Sequence, residues 1–114
     1  MNANELIQFG LEVPEKGKFI VVLCSKWCKS CHFLSTTLEH FRDDGIISLR
    51  ELDISKNANL AIELNISVIP ALVLFKDGRL LKKDIELYGE KLVKNGILIG
   101  SFNKEILEEL IKKI

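Results

Sequence analysis

Residues 25–33 read SKWCKSCHF, two cysteines separated by two residues, directly after KFIVVLC at 18–24. The preceding run is short, β-branched and apolar beyond its first lysine, the pattern of a central strand covered on both faces. After Cys28 the period changes: Cys31, Leu34, Leu38 and Phe41 recur at helical spacing until Asp43, Asp44 and Gly45 stop them. The cysteine pair therefore stands where a buried strand passes into a helix. Unpaired backbone N–H groups and the helix dipole stabilise an anion at such a place, and the thiolate is the form of cysteine that attacks sulfur. Cys28 occupies the helix start. Cys31, one turn further and in phase with the apolar stripe, is expected to face inward while Cys28 stays accessible. With that spacing the two sulfurs come within bonding reach. The residues thus encode an attacking thiol, Cys28, and a resolving thiol, Cys31.

The rest of the composition sends the search for function to that site. A chain of 114 residues with 47% apolar content has the length and the core of one compact domain, 1–114. Sixteen basic residues balance sixteen acidic ones, so no net field marks a nucleic-acid or anionic-membrane binder. The N-terminal stretch has an early acid, no basic region and no long apolar run, so no signal peptide is expected. Charged or polar residues break every apolar run before it reaches the length of a membrane span. A cytoplasmic, monomeric protein is the expectation. Three cysteines, all within residues 24–31, cannot build a framework of stapling bridges. In a reducing compartment the pair points to chemistry or to metal. Zinc would draw on Cys24, Cys28, Cys31 and His32, but structural zinc sites take paired ligands from two distant segments, so no metal is expected. Cys24 is expected to fill the core, and His32 and His40 to lie on the surface.

Along the chain, ANELIQFGLE at 3–12 suggests a short first helix capped by Asn4. IISLRELDI at 46–54 reads as a second strand, and SKNANLAIELN at 55–65 as a short helix with Leu60, Ala61 and Leu64 inward, capped by Ser55 or Asn57. SVIPALVLFKDGRLLKKDIEL at 67–87 holds two strand-like runs joined by Asp77-Gly78, a hairpin signal; Val73, Leu74 and Phe75 belong to the core. NKEILEELIKKI at 103–114 has an apolar stripe of Ile106, Leu107, Leu110, Ile111 and Ile114, an Asn103 cap, and charges that suit the helix dipole. Early alternation implies parallel pairing and the hairpin adds antiparallel strands, so an α/β fold is expected, a mixed central sheet with helices on both faces.

VVLCSKWCKSC at 21–31 followed by VIPALVLFKDG at 68–78 resembles the thioredoxin family, with further support from LDISKNANLAIELNIS at 52–67 and IGSFNKEILEELI at 99–111. The resemblance covers the chain from Lys18 onward. It implies a thioredoxin-like fold and a cis Ile69–Pro70 peptide packed against Cys28 and Cys31, which leaves the Ile69 backbone free to pair with an extended substrate. Gly100 falls on the family's glycine near the active site, and Trp27 is expected to wall the docking surface. The implied activity is reduction of protein disulfides, with a reductase as electron donor and no cofactor beyond a redox-active Cys28–Cys31 disulfide. Three features depart from the family. Its buried acid in the strand before the motif falls on Val22, so the family's usual proton relay to the resolving cysteine is missing; Glu51, aligned with a neighbouring buried basic residue, is a candidate substitute, although it reads as surface-pointing. Lys29-Ser30 separates the cysteines in place of Gly-Pro, and the Lys29 charge favours the Cys28 thiolate, hence a less reducing potential. The region 79–99 is about a dozen residues longer than usual, room for another small element. Within it Asn95-Gly96, between KLVK and ILIG, signals an inserted hairpin before the last helix. These departures keep a second function class open, a redox-sensing adaptor with a dedicated partner and little turnover.

Overall fold

Five consecutive buried residues, Phe19 to Leu23, make β1 (Lys18–Cys24) the centre of the sheet. A computed structural model describes residues 8–114 of the chain. After β1 come α1 (Lys29–Asp43), β2 (Ser48–Asp53), a 3-10 turn (Ile54–Lys56), α2 (Ala58–Glu63) and β3 (Ala71–Lys76). Four short strands follow, β4 (Arg79–Leu80), β5 (Ile85–Leu87), β6 (Glu90–Lys94) and β7 (Ile97–Ile99), before α3 (Lys104–Lys113). The sheet order is β2-β1-β3-β7-β6-β5, with β4 also on β3. Only β1 and β2 are parallel, as a helical crossover requires; β3 runs antiparallel to β1.

Alternation along β1 divides the core. Ile20 and Val22 pack with Leu34, Leu38, Leu72, Leu107 and Leu110 beneath α1 and α3. Phe19, Val21 and Leu23 pack with Leu11, Leu60, Ala61 and Phe75 beneath α2, and the Phe19 and Phe75 rings meet at 5.6 Å between centroids. Leu34 and Leu38, fully buried on α1, each stabilise the fold by about 2 kcal/mol. They fix the roll of α1 and so the direction in which its first turn faces. The Asn103 side chain caps α3 by accepting from the Ile106 N–H at 3.0 Å. The other end of α3 is held by Lys18 and Lys76, whose Nζ atoms donate to the carbonyls of Ile111 at 2.6 Å and Ile114 at 3.2 Å.

The lengthened region differs from the expectation in detail. The Asp77-Gly78 hairpin forms, but its second strand is only the two residues of β4, and the run near residue 85 belongs instead to β5. The edge of β3 is shared: β4 pairs with Phe75 and Lys76, and β7 with Ala71 to Val73. Leu74 bridges them, its N–H donating to Gly96 O and its carbonyl accepting from Leu81 N–H, both at 2.8 Å. The insertion is thus two hairpins, β5–β6 and β6–β7, that extend the sheet. Its turns, Tyr88-Gly89 and Asn95-Gly96, have positive φ at both residues, the backbone that suits a two-residue hairpin. Of the expected first helix, 3–12, residues 3–7 lie outside the described residues, 8–10 form a turn, and 11–12 are not helical.

Candidate active site

At the end of β1 the chain makes one tight turn before α1 begins. The Cys28 N–H donates to Ser25 O at 3.0 Å and the Trp27 N–H to Ser25 Oγ at 3.3 Å. Cys28 is therefore the N-cap of α1 and not its first residue: its backbone is extended, and its Sγ accepts from the Cys31 N–H at 3.4 Å. A sulfur in this place does what a serine or aspartate oxygen does at other helices, and it does so best as an anion. Hydrogen bonding from Cys31, side chain first and then backbone, holds the Cys28 thiol below the usual cysteine range, and Ser30 adds to it. Lys29 is exposed; Ser30, which the sequence reading did not single out, also favours the Cys28 thiolate.

Cys31 is only 2% exposed. Burial is the main reason that its thiol stands above the usual range; contact with Cys24 opposes this, and Cys28 adds to it. The two sulfurs are thus inequivalent. Cys24 is half-buried at the end of β1, and burial, then its contact with Cys31, pushes its thiol far up. Cys24 packs against the core cluster of Leu34 and Leu38, as expected of a residue that fills the core.

A second loop is tied to the start of α1. Ile69–Pro70 is a cis peptide at the entrance to β3. Pro70 is buried, Ile69 half-buried, and the Gly100 N–H donates to Pro70 O at 2.8 Å. Gly100 has φ +116, a backbone that side chains rarely adopt. Ser101 Oγ donates to Ser30 O at 3.5 Å, which ties the Gly100 loop to the start of α1. Around this junction Trp27 is 84% exposed, and Val68 and Ile99 are exposed as well. Lys26 Nζ lies 5.2 Å from the Trp27 ring centroid. Val68 and Ile99 lie next to Ile69 and Gly100 in sequence; only their exposure, which the sequence does not show, marks them out. His32 Nε2 faces the Lys26 carbonyl at 3.4 Å, and among the described residues no group of three or more His, Cys, Asp or Glu is arranged to hold a metal ion. No helix among the described residues is long and apolar enough to cross a membrane.

Such a pair of unequal thiols at a helix start can exchange with disulfides, one sulfur attacking and the other displacing. Comparison with known proteins agrees. The family model described as Thioredoxin matches residues 3–98. The thioredoxin of Staphylococcus saprophyticus subsp. saprophyticus is 28% identical over 101 residues, covering 87% of this chain and 84% of that protein. That of Staphylococcus aureus (strain Mu50) is 31% identical over 101 residues with the same coverage, 87% and 84%. Among solved structures, mitochondrial thioredoxin 3 of Saccharomyces cerevisiae, in its oxidised form, matches with TM-score 0.64 and 23% identity over 88% of this chain and 81% of that one. A mutant thioredoxin from Halobacterium salinarum matches with TM-score 0.65 and 21% identity over 86% and 74%. These structures establish the fold, and the family match extends over most of the sequence, the cysteine pair included. The chain belongs to the thioredoxin family of thiol–disulfide oxidoreductases.

Proposed function

We propose that this protein reduces disulfides of protein substrates through Cys28 as nucleophile and Cys31 as resolving thiol. The observation that carries this reading is the asymmetry at one helix start, where the Cys28 sulfur caps α1 with a lowered pKa and Cys31 waits one turn inside. The Cys28 thiolate attacks one sulfur of the substrate disulfide, forming a mixed disulfide and releasing the other substrate sulfur as a thiolate. Cys31 then attacks Cys28 Sγ, the mixed bond breaks, and the second substrate thiolate leaves. The substrate gains two electrons and the pair becomes a disulfide, which a reductase restores to the dithiol. Trp27, Ile69, Pro70 and Gly100 border the substrate's approach, with the Ile69 backbone offered to an extended segment. The cytoplasm is the proposed compartment because its thiol pool keeps such a pair reduced.

Cys31→Ser tests the scheme, since a serine hydroxyl does not displace sulfur at neutral pH. The variant is expected to accumulate covalent complexes with disulfide-bearing proteins that a reductant dissolves, and Cys28→Ser to trap far fewer. Failure of Cys31→Ser to capture anything above background, with Cys28 shown to be reduced, would refute the scheme. One partner held without a covalent link would point instead to the adaptor class.

A further inference from the structure

The hairpins that lengthen the sheet also leave part of it bare. Residues opposite one another on antiparallel strands point to the same face. Ile97 and Ile99 of β7 stand opposite Val73 and Ala71, which belong to the core beneath α2, and Lys94 of β6 stands opposite Ile97. All three therefore lie on the α2 side of the sheet. Yet α2 is only six residues long and packs over β1 and β3, so β7 and β6 continue past its end. What remains is a groove of about 590 Å³, well within the roughly 300–1,000 Å³ of clefts that take up ligands. It is lined by Leu64 at the end of α2, by Ile97 and Ile99 of β7, and by Lys91, Leu92 and Lys94 of β6. Ile99 is 42% exposed there, and Leu92 and Ile97 are half-buried.

Charge and position identify the occupant. The charged residues that line the groove are both lysines. Asp84 pairs with Lys91 at 3.2 Å, whereas among the described residues no ion pair engages Lys94. An ammonium beside an apolar floor suits a ligand that offers a carboxylate and apolar side chains together. A second copy of this chain would set lysines against lysines and one concavity against another. No aromatic side chain lines the groove for a nucleic-acid base to stack on. Its position points to the substrate itself. The groove opens at Ile99, whose neighbour Gly100 donates its N–H to Pro70 O at 2.8 Å, so it begins beside the Ile69–Pro70 edge. From Gly100 back to Ile97 is about 10 Å of strand, and Lys94 lies one strand spacing of about 4.8 Å to the side. The whole step is about 11 Å, which an extended polypeptide covers in about three or four residues.

We propose that the groove between the end of α2 and the β6–β7 hairpin selects the polypeptide that flanks the substrate cysteine, favouring an acidic residue about three to five positions from that cysteine with apolar residues beside it. This rests on the exchange scheme above. With the substrate sulfur at Cys28 and its backbone along Ile69, the flank continues over Gly100 and Ile99 into the groove. Its carboxylate then meets Lys94 Nζ while its apolar side chains cover Ile97 and Leu92. Lys94 takes no part in the exchange of sulfurs; it acts on encounter and on how long the substrate stays. The pair forms at the surface, so its effect is modest and falls with salt. Leu92 and Lys94 belong to β6, inside the region where this chain is longer than usual for its family, and the insertion is thereby given a task, the choice of substrate.

Synthetic peptides of one length, each with a single central cysteine held as a mixed disulfide with thionitrobenzoate, provide the test. The reduced full chain attacks the peptide sulfur and thionitrobenzoate leaves, so its absorbance gives the second-order rate constant. One peptide carries Glu and Leu within about three to five positions on both sides of the cysteine. A second has Gln in place of Glu, and a third has its Glu residues about eight positions away, beyond the reach of Lys94. At low ionic strength the first is expected to react about fivefold faster than the second, the upper size for one exposed ion pair, and the third no faster than the second. In about 1 M salt the advantage should vanish. Lys94→Glu, at an exposed position and so expected to fold, should bring the Glu-to-Gln ratio below one. Lys112→Glu, the same change of charge on the exposed side of α3, should keep the parent ratio. Equal rates for the first two peptides overturn the proposal, as does an equal fall of the ratio in Lys94→Glu and Lys112→Glu, which would reduce the effect to net charge. A dimer of the parent that Lys94→Glu dissociates would give the groove to a second copy and overturn it too. Absence of thionitrobenzoate release from every peptide would instead overturn the exchange scheme, and the proposal with it.

Discussion

Val22→Asp places a carboxyl where the family carries one, and its effect follows from the packing. Val22 is 0% exposed, flanked across the sheet by Glu51 on β2 and Leu72 on β3, and packed in the cluster with Leu34 and Leu38. Loss of the apolar side chain costs about 2 kcal/mol at any pH. The carboxyl adds a second cost that depends on pH. In so dry a place it stays protonated in the folded protein, so its folded pKa is raised above the free value of about 3.9, by about 3 units or more for full burial. The sign follows: below about pH 4 both states are protonated and the group costs nothing extra, and as pH rises the unfolded state ionises and is favoured. Each pH unit then costs about 1.4 kcal/mol, giving about 1.5 kcal/mol at pH 5 and about 4 kcal/mol at pH 7. Urea unfolding of variant and parent, followed by circular dichroism because Trp27 is exposed in the folded state, should give a stability difference about 2.5 kcal/mol larger at pH 7 than at pH 5. The same difference at both pH values would refute the reasoning, since it would mean that water or a cation reaches position 22.

At neutral pH, iodoacetamide should modify Cys28 before Cys31 or Cys24, with a rate–pH midpoint below the roughly 8.5 of a free cysteine. Ser30→Ala should raise that midpoint, because Ser30 helps to hold the thiol down; mass spectrometry that finds Cys24 labelled first would reverse the assignment of roles. Gly96→Ala should destabilise by about 2 kcal/mol or more, because Gly96 has φ +80 and a Cβ there would overlap the Leu81 carbonyl. Gly45→Ala, at φ +76 with open space around it, should cost only about 1 kcal/mol. For a chain of this length 2 kcal/mol corresponds to roughly 8 °C in Tm, and equal Tm losses in the two variants would contradict the described junction of β4 and β7.

What the sequence by itself determined is local. The helix start at Cys28, the inward phase of Cys31 with Leu34 and Leu38, and the Asn103 cap of α3 each depend on residues within one or two turns, so spacing is enough to show them. Asp77-Gly78 and Asn95-Gly96 were legible as turns for the same reason, since Asp and Asn adopt positive φ at small cost. Tyr88-Gly89 was not, because tyrosine at φ +54 is held by the hairpin on either side and not by its own preference. Long-range pairing decided the rest. Whether β4 or β7 takes the edge of β3 depends on how many backbone bonds each can form there, and β7, with three paired residues against two, takes the larger share. The cleft behind Cys31 was hidden for a similar reason. Glu51 is a surface residue of β2, as its charge suggests, but the parallel register that sets it opposite Val22 also places it on a cleft that Ser35 of α1 lines. No pattern within β2 encodes that meeting, because it is created only when the crossover helix docks on the sheet and brings a serine, two thiols and a carboxylate from three separate elements to one seam.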